Sequence, residues 1–74
     1  MWGSKDRELA RAIAAMWNEE IRGGCRVVIQ EPGERVEGIT IGAAWENFGV
    51  AVIQVCDDYA DLRTLPVSKL RVAE

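Results

Sequence analysis

Arg26-Val27-Val28-Ile29-Gln30, then Glu31-Pro32-Gly33-Glu34, then Arg35-Val36-Glu37-Gly38-Ile39-Thr40-Ile41: the reading of this stretch decides the fold. Branched valine and isoleucine, which suit a pleated strand, crowd both ends, and turn residues fill the middle. Proline at the second turn position presets its φ, and glycine at the third accepts the positive φ of a type II turn. The two runs therefore form a β-hairpin. In the second run Val36 differs in parity from Ile39 and Ile41, so turning all three toward one core requires a bulge. Gly38 is the least costly place for it.

Downstream, the segment from Gly42 to Gly49 reads as a connecting loop, and Val50 to Cys56 as a third strand. The faces of that strand are Val50, Val52, Gln54 and Ala51, Ile53, Val55, both largely apolar. A strand wetted on one side alternates with polar residues, so the second face calls for cover by a helix or another subunit. Asp57-Asp58-Tyr59-Ala60 is the next turn, and Asp61 to Leu65 a fourth strand. Pro66 to Leu70 suits a single 3₁₀ turn, with Arg71 to Ala73 as the closing strand. Upstream, Leu9, Ile13, Met16, Trp17 and Ile21 recur at helical spacing, opposite Lys5, Arg7, Glu8, Arg11, Asn18, Glu19 and Arg22. Ser4 is placed to cap this helix, Asp6 suits its positive end, and Gly23-Gly24 offers a left-handed exit. The expected fold is mainly β with one N-terminal α-helix: a single domain over 1–74, with the amphipathic helix at 4–22 and a small five-strand barrel at 25–73.

The chain has 74 residues, 49% of them hydrophobic and 28% charged, which is an ordinary globular balance. So short a chain buries only about 60% of its unfolded surface, and self-association is the remedy this composition leaves open. A homo-oligomer is expected, with another protein as an alternative partner. The net charge of −3, with arginines dispersed singly among acids, argues against nucleic acid as a partner. No apolar run approaches the roughly 20 residues that span a bilayer, and no apolar signal core follows the start, so a cytoplasmic protein without membrane contact is expected. The two cysteines, Cys25 and Cys56, stand without any histidine in the chain, which removes the usual zinc ligand sets and histidine-dependent nucleophiles. They read as small reduced strand residues.

Gly24-Cys25-Arg26-Val27, Glu37-Gly38-Ile39-Thr40-Ile41-Gly42, Gly49-Val50-Ala51-Val52 and Leu65-Pro66-Val67-Ser68-Lys69-Leu70-Arg71-Val72, in this order, resemble the SH3-like barrel of the type B, plasmid-borne dihydrofolate reductases. The resemblance covers most of the chain after the helix and implies a barrel that assembles around a central pore. That family holds folate and NADPH with a Val-Gln-Ile-Tyr strand, where this chain has Leu62-Arg63-Thr64-Leu65, and its early lysine falls on Ile29 or Gln30. With those hydrogen-bonding groups replaced, reductase activity and its cofactor are not expected. Members of the family travel as mobile gene cassettes, which implies an integron, plasmid or phage origin. The helix leading into the barrel, with Pro32-Gly33-Glu34-Arg35-Val36-Glu37-Gly38 across the hairpin, is also similar to the Sm-like RNA-binding ring proteins, and this stays open as an alternative.

Trp45 and Phe48, two aromatics on one expected loop, are the first candidates for a ligand surface, joined by Tyr59 on the next turn and Arg63 on the fourth strand. Leu9, Ile13, Met16, Trp17 and Val52 are the candidates for packing the helix or joining subunits. Asp57, Asp58 and Asp61 lack the rhythm of a calcium loop, so no metal is expected. No catalytic constellation is present in the pattern, and the function expected is that of a non-enzymatic binding or assembly module.

Overall fold

A computed structural model describes residues 2–21 and 24–73. Helix α1 spans Trp2–Glu20, so it starts two positions before the expected cap and Ser4 lies inside its first turn. It closes with the Ile21 N–H donating to Trp17 O at 2.7 Å, and Gly24 has a φ of 87°, as the expected left-handed exit requires. Arg22 and Gly23 fall outside the described residues.

Five strands follow: β1 (Arg26–Glu31), β2 (Glu34–Asn47), β3 (Val50–Asp57), β4 (Leu62–Pro66) and, after a 3₁₀ turn at Val67–Lys69, β5 (Leu70–Val72). They form one antiparallel sheet in the order β4-β3-β2-β1-β5. The chain meanders through four strands, and the fifth returns to β1 by pairing Val27 with Val72 and Ile29 with Leu70. Among the described residues no ladder joins β4 to β5; the 3₁₀ turn fills that seam and buries Val67 in the core. The fold is thus mainly β with one N-terminal helix, as expected. Val27, Ile29, Val36, Ile53 and Val55 fill the concave side, and Leu65 and Leu70 close it.

Two expectations about β2 are corrected. The strand is 14 residues long and absorbs most of the supposed loop, ending only at Asn47. Its ladder to β3 slips between Ile41, opposite Gln54, and Trp45, opposite Val52. Gly42, Ala43 and Ala44 therefore face a single residue, Ile53, in a bulge that Gly42 permits with a φ of 69°. Ala44 has no ladder partner there, and the Asn18 side chain replaces one: its Oδ1 accepts the Ala44 N–H at 2.8 Å and its Nδ2 donates to Ala44 O at 3.0 Å.

The second correction concerns Gly38. Pairing with β1 runs unbroken from Ile39 opposite Arg26 to Glu34 opposite Glu31, so no bulge lies at Gly38. Val36, Gly38 and Thr40 face inward and buried, while Ile39 and Ile41 face outward. Glycine is needed at 38 because β2 and β3 approach closely: a Cβ there would stand 2.7 Å from Cys56 O and 2.7 Å from Val55 Cγ1. Thr40 is tolerated inside because its hydroxyl accepts the Cys25 N–H at 3.1 Å.

The helix presents a different stripe to the sheet from the one its large side chains mark. Ala10 and Ala14 are buried, Trp17 packs against the core, and Leu9 and Met16 point to solvent. Small side chains let the helix backbone come close to the β2–β3 bulge, and the Asn18 bonds fix its rotation. Trp17 Nε1 is enclosed and finds no acceptor among the described residues. Cys25 and Cys56 are free thiols, and among the described residues no helix is long and apolar enough to cross a membrane.

Candidate interaction surface

Directly opposite residues of an antiparallel ladder point to the same side. The registers therefore write out the convex face of β2, β3 and β4 in three rows: Ile39, Cys56, Leu62; then Ile41, Gln54, Thr64; then Trp45, Val52, Pro66. Within these rows only Gln54 and Thr64 are polar, while Glu37 on β2 and Arg26 on β1 stand beside Ile39 on the same side. Leu62 is 61% exposed, Ile39 44%, Ile41 41% and Trp45 41%. The helix gives no cover here, because its Ala14 joins Ala44 and Ala51 on the core side. One chain thus leaves Ile39, Ile41, Trp45 and Leu62 of this face open to water, while Val52 between Trp45 and Pro66 is buried.

The residues expected to bind divide between the two ends of β3. Trp45 lies on a strand beside the buried Val52, and Phe48 follows in the β2–β3 turn, 87% exposed with a φ of 50°. Tyr59 stands in the β3–β4 turn at the far end, where its hydroxyl donates to Glu34 Oε1 at 2.9 Å. This bond to a carboxylate raises the Tyr59 pKa above its ordinary value. Arg63 is near Tyr59 and is engaged on both sides, by Glu31 Oε1 at 2.7 Å and Asp57 Oδ2 at 2.8 Å. The Asp57 contact is a close charge pair without hydrogen-bond alignment.

Asp57, placed by the sequence in the turn after the third strand, is instead the last residue of β3 and is buried. Its side chain is fully buried, and its Oδ1 accepts the N–H groups of Tyr59 and Asp61, both at 2.9 Å. It is thereby spent on holding the turn and on pairing with Arg63. Among the described residues no group of three or more Asp, Glu or Cys is arranged to hold a metal ion. Across the outer side of β1 and β2, Glu37 is shared by Arg35 at 3.3 Å and Arg26 at 3.2 Å, and the Arg35 hydrogen bond is the chief cause that lowers the Glu37 pKa.

Of the helix and interface candidates, Trp17 and Val52 are packed within the chain, while Leu9, Ile13 and Met16 form an outward stripe beside the seam with the sheet. Leu9 and Ile13 also line a groove of 170 Å³ together with Val50 and Val67, and Asp6 and Ser68 complete its lining. The β2–β3 turn borders the groove through Gly49, where a Cβ would stand 3.3 Å from Asp6 Cβ.

Ile39, Ile41 and Leu62 were not among the expected surface residues. The parity break between Val36 and Ile39 was the available signal. It marks a strand with two apolar faces rather than a bulge that reconciles them. Comparison with protein-family models, with curated proteins and with solved structures finds no match for this chain.

Proposed function

We propose that the chain is a non-enzymatic assembly module that associates with further copies of itself through the convex face of β2, β3 and β4. The observation that carries this reading is the outward set Ile39, Ile41, Trp45 and Leu62, apolar and 41–61% exposed in the single chain. A standard interface buries about 800 Å² per partner. The whole chain has 5183 Å² of surface, so one sheet face given over to contact is of the required scale. Exposed apolar patches of this kind mark interaction sites on small domains.

The resemblance to the type B reductases agrees with this reading at the level of architecture. A four-strand meander, a 3₁₀ turn at Val67–Lys69 and a fifth strand returning to β1 are what an SH3-like chain of that kind would have. The strand where that family holds its ligands is β4 here. Its Arg63 is tied to Asp57 and Glu31, which supports assembly without the reductase chemistry.

Sedimentation velocity at high micromolar concentration tests the proposal. The wild-type chain is expected to sediment as an oligomer, and the double variant Ile41→Lys, Leu62→Lys as a monomer with an unchanged circular dichroism spectrum. A wild-type chain that is only monomeric at that concentration overturns it.

A further inference from the structure

We infer that Phe48 is a docking knob: its ring enters the groove between α1 and the 3₁₀ turn of a second copy, which returns its own Phe48 in exchange. The inference rests on the self-association proposed above and names the element that locks it.

Phe48 and Gly49 are the two central residues of the hairpin turn, since Asn47 pairs with Val50. Their φ values are 50° and 81°, so both occupy the left-handed region, where asparagine or glycine is at ease and a bulky aromatic is strained. The strain gains nothing within the chain, because the ring is 87% exposed. Strain held at an exposed tip is characteristic of a binding element.

The groove beside the turn fits such a ring. Its 170 Å³ is close to the roughly 150 Å³ apolar cavity that accepts benzene. Its walls, Leu9, Ile13, Val50 and Val67, are aliphatic, and Asp6 is its single charged side chain. Glu46 Oε2 accepts the Gly49 N–H at 2.8 Å and so holds the turn that carries the ring. Knob and groove adjoin on one surface, because Gly49 lines the groove. A two-fold axis beside the turn therefore exchanges the two knobs at once, the self-complementary arrangement of a closed dimer. Val50 belongs to both the groove and the end of β3, which makes this contact continuous with the sheet face.

Phe48→Asn is the test, since asparagine suits the same φ. It should weaken self-association by at least about tenfold, as loss of a buried aromatic anchor does, while the melting temperature of the dissociated chain rises or stays level. Leu9→Glu, at an exposed helix position, should weaken association similarly, and the double variant should add little to either. A Phe48→Asn chain that associates like wild type overturns the knob and leaves the sheet-face proposal standing. A wild-type chain that is monomeric overturns both.

Discussion

Asn18 joins the helix to the sheet by two hydrogen bonds, and its replacement should cost more than its modest burial suggests. In Asn18→Ala the Ala44 N–H and C=O lose the partners they have at 2.8 and 3.0 Å, and Ala44 is only 7% exposed. Two net hydrogen bonds contribute about 1–3 kcal/mol and two buried groups left unpartnered cost about 2–6 kcal/mol, so the combined loss centres at roughly 2–4 kcal/mol. Scaling a typical stability per residue to 74 residues gives roughly 4–11 kcal/mol in all, so the variant should lose a large part of it. For a domain of this size the melting temperature should fall by roughly 10–30 °C. Urea unfolding followed by circular dichroism measures the loss, and Asn18→Leu, which keeps volume but not the bonds, should resemble the alanine variant. A loss below about 0.5 kcal/mol in Asn18→Ala, the range of an ordinary surface change, would show that the alanine face alone docks the helix.

Gly38→Ala forces a methyl group against the backbone oxygen of Cys56, which has no freedom to yield, and should destabilise by about 1–3 kcal/mol in the same urea experiment; an unchanged midpoint would contradict the close strand approach. The lowered pKa of Glu37 makes its contribution full above the ordinary value of 4.5 and lost as pH falls through the folded-state value. Wild-type stability should therefore fall more steeply in acid than that of Glu37→Gln, and parallel curves would remove the Arg35 contact as the cause. Tyr59, the single tyrosine of the chain, should ionise above its ordinary 10.0 in an ultraviolet titration, with the Glu34 bond stabilising the fold below that value and fading as pH rises through the folded-state pKa. Glu34→Gln should bring the titration back down, and an unmoved curve counts against the contact.

The helix, the Pro32-Gly33 hairpin and the 3₁₀ turn were legible because each is written locally, as a period, a turn pair or a proline that opens a short turn. Long-range geometry was not. Gly38 carries no mark that distinguishes close approach to Cys56 from a bulge, and nothing near Ala44 announces that Asn18, 26 positions away, will complete its hydrogen bonds. The helix stripe misled for a related reason. Leu9 and Met16 are the larger apolar residues, yet Ala10 and Ala14 face the sheet, because contact distance at the bulge favours small side chains over greasy ones. The second face of β3 reads from sequence as needing cover, and there Val52 is buried while Val50 is 43% exposed; the exposed neighbours Ile39, Ile41 and Leu62 depended on registers that only the folded sheet defines.

The bulge in β2 holds three residues against one, an excess of two, and an even excess returns Trp45 to the same side of the sheet as Ile41. Adding or deleting one codon between Gly42 and Ala44 would invert the strand beyond it, carrying Trp45 into the interior and Ala44 out. Changes of two codons would preserve the sidedness of every later residue in β2. Length variation among descendants of this gene should therefore proceed at that point in pairs.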